Sequence, residues 1–180
     1  MKKLFLLPLI LFFAGCQLSN GSEKKQLFAH FRSVTLPAAQ QIVDYRMQWQ
    51  SAQLKMMEWI DIPGSSESKP KLKIFVSDDY PKIRSGLKDM VTRGVLTNKS
   101  DVDAVLLLME QEINCYHQIM DDLSTVAQYN DPTVLFPIQD MMMGSDGVCK
   151  TTFQQIDKHL EDLTQKINFV ADQELMELEK

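Results

Sequence analysis

Three cysteines, three histidines and eleven methionines carry the reactive and metal-binding potential of this chain, beside carboxylates at Glu110 and Glu112 and an aromatic series at Tyr45, Trp49 and Trp59. The histidines and carboxylates do not fall into a metal pattern. A di-iron bundle places Glu-x-x-His on two helices, whereas Glu110 and Glu112 precede His117 by seven and five residues and no Glu-x-x-His occurs. Covalent haem would need Cys-x-x-Cys-His, which is absent. His30, His117 and His159 fall beside the apolar helical positions and not on them, so neither metal nor cofactor is expected, and both glutamates are expected to face solvent. The clusters Met56-Met57 and Met141-Met142-Met143 suit flexible filling of helical cores better than soft-metal binding. No Gly-x-Ser-x-Gly, no paired catalytic carboxylates and no nucleophile with a spaced base are found, so the chain is not expected to be an enzyme. What remains as a ligand site is the stripe Tyr45, Trp49 and Trp59 lining a pocket between helices. Arg46 and Arg84 would pair with a ligand carboxylate if they share its cleft. Core packing is the competing role for the same aromatics.

The cysteines divide into one near the start and two far from it. Lys2 and Lys3 precede an apolar run, Leu4–Phe13, broken only by Pro8, and the small pair Ala14-Gly15 follows. This is the layout of an export signal. A bilayer span needs about twenty apolar residues, so the segment 1–15 is expected to be removed. The string Phe13-Ala14-Gly15-Cys16 resembles the lipobox of bacterial lipoproteins, with Phe13 where leucine is commonest. That resemblance implies a diacylglycerol, with palmitate-type acyl chains, on the Cys16 thiol. Gln17 in place of aspartate is similar to the default signal for the outer membrane in enteric bacteria, which implies an anchor there facing the periplasm. Residues 16–26 are polar and turn-rich, as a tether would be.

The charge balance argues against nucleic acid as a partner. Lysine and arginine total 19 against 24 acidic residues, and loss of Lys2 and Lys3 leaves the mature part at −7.

Helices must position everything else. From Phe28 the spacing of three and four gives Phe28, Phe31, Ala38, Ile42, Tyr45, Trp49, Ala52, Met56 and Trp59, with Thr35 the one polar member. This predicts a long amphipathic helix, kinked or interrupted at Pro37 and ended by Pro63-Gly64-Ser65-Ser66. Residues 67–76 read either as strand or as helix. A helix is expected from Ser77, capped by Asp78 or Asp79, with Pro81 in its first turn and Gly94 as its stop. Ser100 with Asp103 approximates a capping box ahead of Val102, Leu106, Met109, Ile113, Tyr116, Met120, Leu123 and Ala127. Asn130-Asp131-Pro132 marks a turn, and Cys149, Phe153, Ile156, Leu160, Leu163, Ile167 and Val170 carry the last helix. Short turns make neighbours run antiparallel. The expected fold is thus all-α, an up-down-up-down four-helix bundle over residues 27–180.

That fold makes a statement about the remaining cysteines, Cys115 and Cys149, in a chain whose compartment allows oxidation. Cys115 lies sixteen residues before the turn at Asp131 and Cys149 eighteen after it. Equal rise on antiparallel helices would bring them within about 3 Å of one level, so a disulfide is expected. The same register requires Pro132–Met143 to be helical and packed back along the third helix, with Gly144 and Gly147 a kink inside a long last helix.

Leu36-Pro37-Ala38-Ala39 opening a long helix, a shorter second helix, and a last pair split at Asp131-Pro132 resemble the four-helix-bundle sensor domain of methyl-accepting chemotaxis receptors over residues 27–172. The resemblance implies an extracytoplasmic ligand-sensing bundle. No second membrane span or cytoplasmic signalling helix follows, so action by binding alone or through a partner is expected. Two functions follow: a lipid-anchored binding or sensor-like module for a small ligand or an envelope protein, and a structural or assembly lipoprotein working through protein contacts, a homodimer included.

Overall fold

The computed structural model describes residues 21–63 and 67–179, and these are all-helical, with no strand among them. Cys16 and the expected export signal lie outside the described residues. The expected tether is described only from Gly21, and there Ser22–Gln26 is already helical.

α1 (Ser22–His30) passes through a π turn (Phe31–Thr35) into α2 (Leu36–Asp61). The cause is Pro37, which lacks an N–H and whose ring crowds the carbonyl four residues back. In the π turn the Leu36 N–H bonds to Phe31 O, five residues back. The widened turn relieves that crowding without ending the helix. The interruption expected at Pro37 is therefore absorbed as one extra residue in the turn. All of Ala38, Ile42, Tyr45, Trp49, Ala52, Met56 and Trp59 are buried, as the spacing requires.

The same device recurs before Pro81. α3 (Ser68–Ile74) runs through a π turn (Phe75–Asp79), in which Tyr80 N–H bonds to Phe75 O, into α4 (Tyr80–Thr92). The helix thus begins at Ser68 and not at Ser77, and the Asp79 side chain makes no capping bond. Both turns carry Phe-x-Ser, then two residues, then Leu or Tyr and Pro: Phe31 to Pro37 and Phe75 to Pro81. Gly94 does stop α4, at φ 75°. Gly94 N–H bonds to Val91 O and Val95 N–H to Met90 O, the paired bonds of a Schellman cap. Buried Val95 and Met90 supply its apolar contact.

α5 (Lys99–Asp122) is capped by Asn98, whose side chain accepts from Ser100 N–H at 3.1 Å, so Ser100 is not the cap. The helix ends before Ala127, because Thr125 and Gln128 form a reciprocal capping box that opens the single turn α6 (Val126–Tyr129). Asp131 caps α7 (Pro132–Met143) by accepting from Thr133 N–H at 2.9 Å. α7 does not run on into α8 (Val148–Glu179); Gly144 and Gly147 lie in the break between them and not in a kink. A Cβ on Gly147 would meet Asp140 O and Met141 O at 2.5 Å, which is why this tight reversal takes glycine.

α8 packs against α5, α2 and α7, while α2 also packs on α3 and α4 on α5. Pairings fix the order. His30 meets Glu174 and Arg46 meets Asp157, while Asp101 meets Lys166 and Cys115 meets Cys149. Trp49 packs edge-on against Phe75 and Tyr80, with ring centroids at 5.3 and 6.0 Å. No described helix is long and apolar enough to cross a membrane.

Candidate functional site

The five residues expected at a ligand site do not share a cleft. Trp49 and Trp59 are core residues, 1% and 4% exposed. Tyr45 is buried with its ring over Gly86, and its hydroxyl accepts from Gln41 Nε2. Arg46 lies on the α2–α8 seam, donating from Nε and Nη2 to the two oxygens of Asp157, both at 2.8 Å, and from Nη2 to Glu161 at 3.2 Å. This fork holds the Asp157 carboxyl below its ordinary range, with Gln50 Nε2 adding a bond at 2.7 Å. Arg84 is on α4 and pairs with Glu110 of α5 at 2.9 Å. The two guanidiniums are thus each committed to a different helix pair. Trp59 serves a second purpose at the end of α2, where its carbonyl accepts from Tyr129 Oη at 2.6 Å and its ring lies 4.9 Å from Lys69 Nζ. Burial, and then Lys73, push the Lys69 ammonium below its ordinary pKa.

Cys115 and Cys149 do meet. Their Cα atoms are 6.3 Å apart across α5 and α8 with the sulfurs in contact, a spacing that accommodates a disulfide. Cys149 is fully buried and Cys115 only partly so.

Beside this pair lies the residue that the spacing argument placed wrongly. Glu112 does not face solvent: it is fully buried, three residues before Cys115. Among the described residues neither of its carboxylate oxygens makes a well-formed hydrogen bond, and Tyr116 Oη, Tyr80 Oη and Trp49 Nε1 are likewise buried without one. Burial pushes the Glu112 carboxyl up to about 8, partly offset by the Tyr116 hydroxyl one turn away. Tyr116 is itself pushed well above its usual range, by burial first and by Glu112 second. Thr152, three residues after Cys149, is the buried polar residue of α8, and its hydroxyl donates to Val148 O at 2.8 Å. The signal for Glu112 was present. Val105, Met109, Glu112, Tyr116, Ile119 and Leu123 form a second heptad series beside the one from Val102, and every member is buried. A core-facing stripe is wider than one heptad line.

Two surface grooves open elsewhere, and none of Tyr45, Arg46, Trp49, Trp59 or Arg84 lines either. The larger, about 690 Å³, lies between the α4–α5 turn and α8. Val95, Leu96 and Leu163 form its buried floor, and Phe169, Asp101 and Lys166 stand around it. The smaller, about 330 Å³, lies between α2 and the second π turn and is lined by Asp44, Ser51, Lys55 and Phe75 among others. No group of three or more metal-ligating side chains occurs among the described residues.

No protein-family model, no curated protein and no solved structure matches the chain.

Proposed function

We propose that this chain is a lipid-anchored extracytoplasmic binding module of sensor-like form. Diacylglycerol on Cys16 holds it at the periplasmic face of the outer membrane, and it engages a small ligand or envelope partner through the groove beside Phe169. Its body is an antiparallel up-down-up-down four-helix bundle of α2, α3–α4, α5 and α8, closed by a Cys115–Cys149 disulfide. The ascending and descending order of the pairs Arg46–Asp157, Cys115–Cys149 and Asp101–Lys166 supports that topology. The observation that carries the functional reading is the groove. An apolar floor with a few polar groups and several hundred cubic ångströms of room is the form that ligand clefts take, and Phe169 stands over it 64% exposed. Trp49 and Trp59 then serve packing.

A second reading, a structural or assembly lipoprotein, is favoured by α7 and its surroundings, where Phe136, Met143 and Val148 are all exposed. Photo-crosslinking in intact membranes from residue 169 and, separately, from residue 136 distinguishes the two. The binding module gives an adduct from 169. An adduct from 136 alone favours the assembly role, one of twice the chain mass identifies a homodimer, and no adduct from either position contradicts both readings.

A further inference from the structure

We propose that Cys115, Cys149 and Glu112 form a proton-coupled thiol–disulfide exchange centre on the α5–α8 seam, which exchanges with an external dithiol and uses Glu112 as the proton donor to the sulfur of Cys149. This rests on the Cys115–Cys149 bond proposed above.

The two sulfurs are not equivalent. Cys115 is partly exposed while Cys149 is fully buried, so an external thiolate reaches Cys115. Its attack forms a bond to Cys115 Sγ and breaks the Cys115–Cys149 bond, and the electron pair leaves on Cys149 Sγ. A thiolate in an apolar interior is costly, because burial disfavours the charged form. A proton donor inside the seam removes that cost.

Glu112 is placed for this. Residues three apart on a helix have Cβ atoms about 5–6 Å apart, so Glu112 and Cys115 share a face of α5, the face that Cys149 meets from α8. Its carboxyl is buried with no well-formed hydrogen bond among the described residues, the Tyr116 hydroxyl being its one polar neighbour, and desolvation holds it protonated at neutral pH. A buried polar group without a partner requires an explanation, and proton storage supplies one. The charged groups of the helices packed against α5 are engaged elsewhere. On α5 only Tyr116 reaches it. From α4, Arg84 is bound to Glu110, and from α2, Arg46 is bound to Asp157 and Glu161. On α8, Lys166 is bound to Asp101, Lys150 donates to Gly144 O, and His159 lies two turns beyond Thr152.

The balance closes. Glu112 gives its proton to Cys149 and becomes a carboxylate. The second thiol of the reductant resolves the mixed disulfide at Cys115, leaving as the oxidised partner. Cys115 and Glu112 then take protons from water. Two electrons and two protons pass from the dithiol to the pair, and the reverse sequence oxidises it.

The test uses the whole protein with dithiothreitol as the dithiol, reading free thiols by alkylation and mass. Alkylation before reductant shows whether the bond exists. Two free thiols at that stage overturn the proposal through its premise and not through the proton step. With the bond present, the reduction rate, divided by the thiolate fraction of the reductant, falls about tenfold or more from pH 6 to pH 9 in the native protein as Glu112 loses its proton. Glu112→Gln slows the pH 6 rate by about tenfold or more and flattens the profile. A flat native profile, or a Glu112→Gln variant of native helicity with the native rate and profile, overturns it.

Discussion

Replacing Glu112 by glutamine should make this protein more stable at pH 8 while leaving it little changed at pH 5. The carboxyl has an ordinary pKa of 4.5 in the unfolded chain and about 8 in the folded one. Between those values the native state holds a proton that the unfolded state has released, so stability falls as pH rises. Each pH unit is worth about 1.4 kcal/mol, and the interval from 4.5 to about 8 costs about 5 kcal/mol in total. Below pH 4.5 the penalty is absent, and above pH 8 it is constant. Glutamine keeps the shape and cannot ionise, though its amide also lacks partners and gives back about 1–2 kcal/mol. The net gain at pH 8 is about 3 kcal/mol, larger than most single substitutions achieve. Urea unfolding at half-unit intervals from pH 5 to pH 8.5 measures both slopes. A native protein whose stability is flat across that range, or a variant that keeps the native slope, refutes the assignment of Glu112 as a neutral buried acid.

Reduction of the proposed Cys115–Cys149 bond, which would close a sequence separation of 34, lowers unfolding free energy by about 3–4 kcal/mol on the chain-entropy account, measured as the denaturation midpoint with and without reductant. Gly86→Ala sets a methyl group into the Tyr45 ring and costs about 1–3 kcal/mol; Tyr45→Leu in the same chain recovers part of that loss, seen in thermal melts. Arg46→Ala removes the fork on Asp157 and costs about 1 kcal/mol at pH 7 because the pair is partly exposed. The depressed Asp157 pKa means that this contribution is present above the ordinary carboxylate range and is lost as pH falls through the folded value, so the variant and native melts converge in acid.

Periodicity made most of the fold legible. The buried series of α2, α5 and α8 can be read off the chain because each keeps its three-four spacing without a break, and Asp131-Pro132 and Gly94 mark real ends for reasons of capping and left-handed backbone. Proline was harder to read. Pro37 signalled a fault in a helix and Pro81 the first turn of a new one, but whether the chain breaks or inserts one residue depends on how the preceding turn packs, which here includes the buried Phe31 and Phe75. Capping competes locally too: Asn98 and Thr125 outbid the sites suggested by Ser100 and by the heptad reaching Ala127. Glu112 escaped because hydrophobic patterning assigns a glutamate to solvent by type, whereas its burial is set by neighbours on either side of it in the stripe. The groove beside Phe169 was not legible at all, since it depends on where the α4–α5 turn comes to rest against α8.

The tether is the claim on which location and mode of action depend, and the amino-terminal peptide of the native protein reports on it directly. Mass spectrometry of that peptide, released by protease from isolated outer membranes, should show a chain beginning at Cys16 and carrying diacylglycerol on its sulfur, a mass that Cys16→Ser abolishes. A mature peptide that starts at another residue, or an unmodified Cys16, would contradict the account.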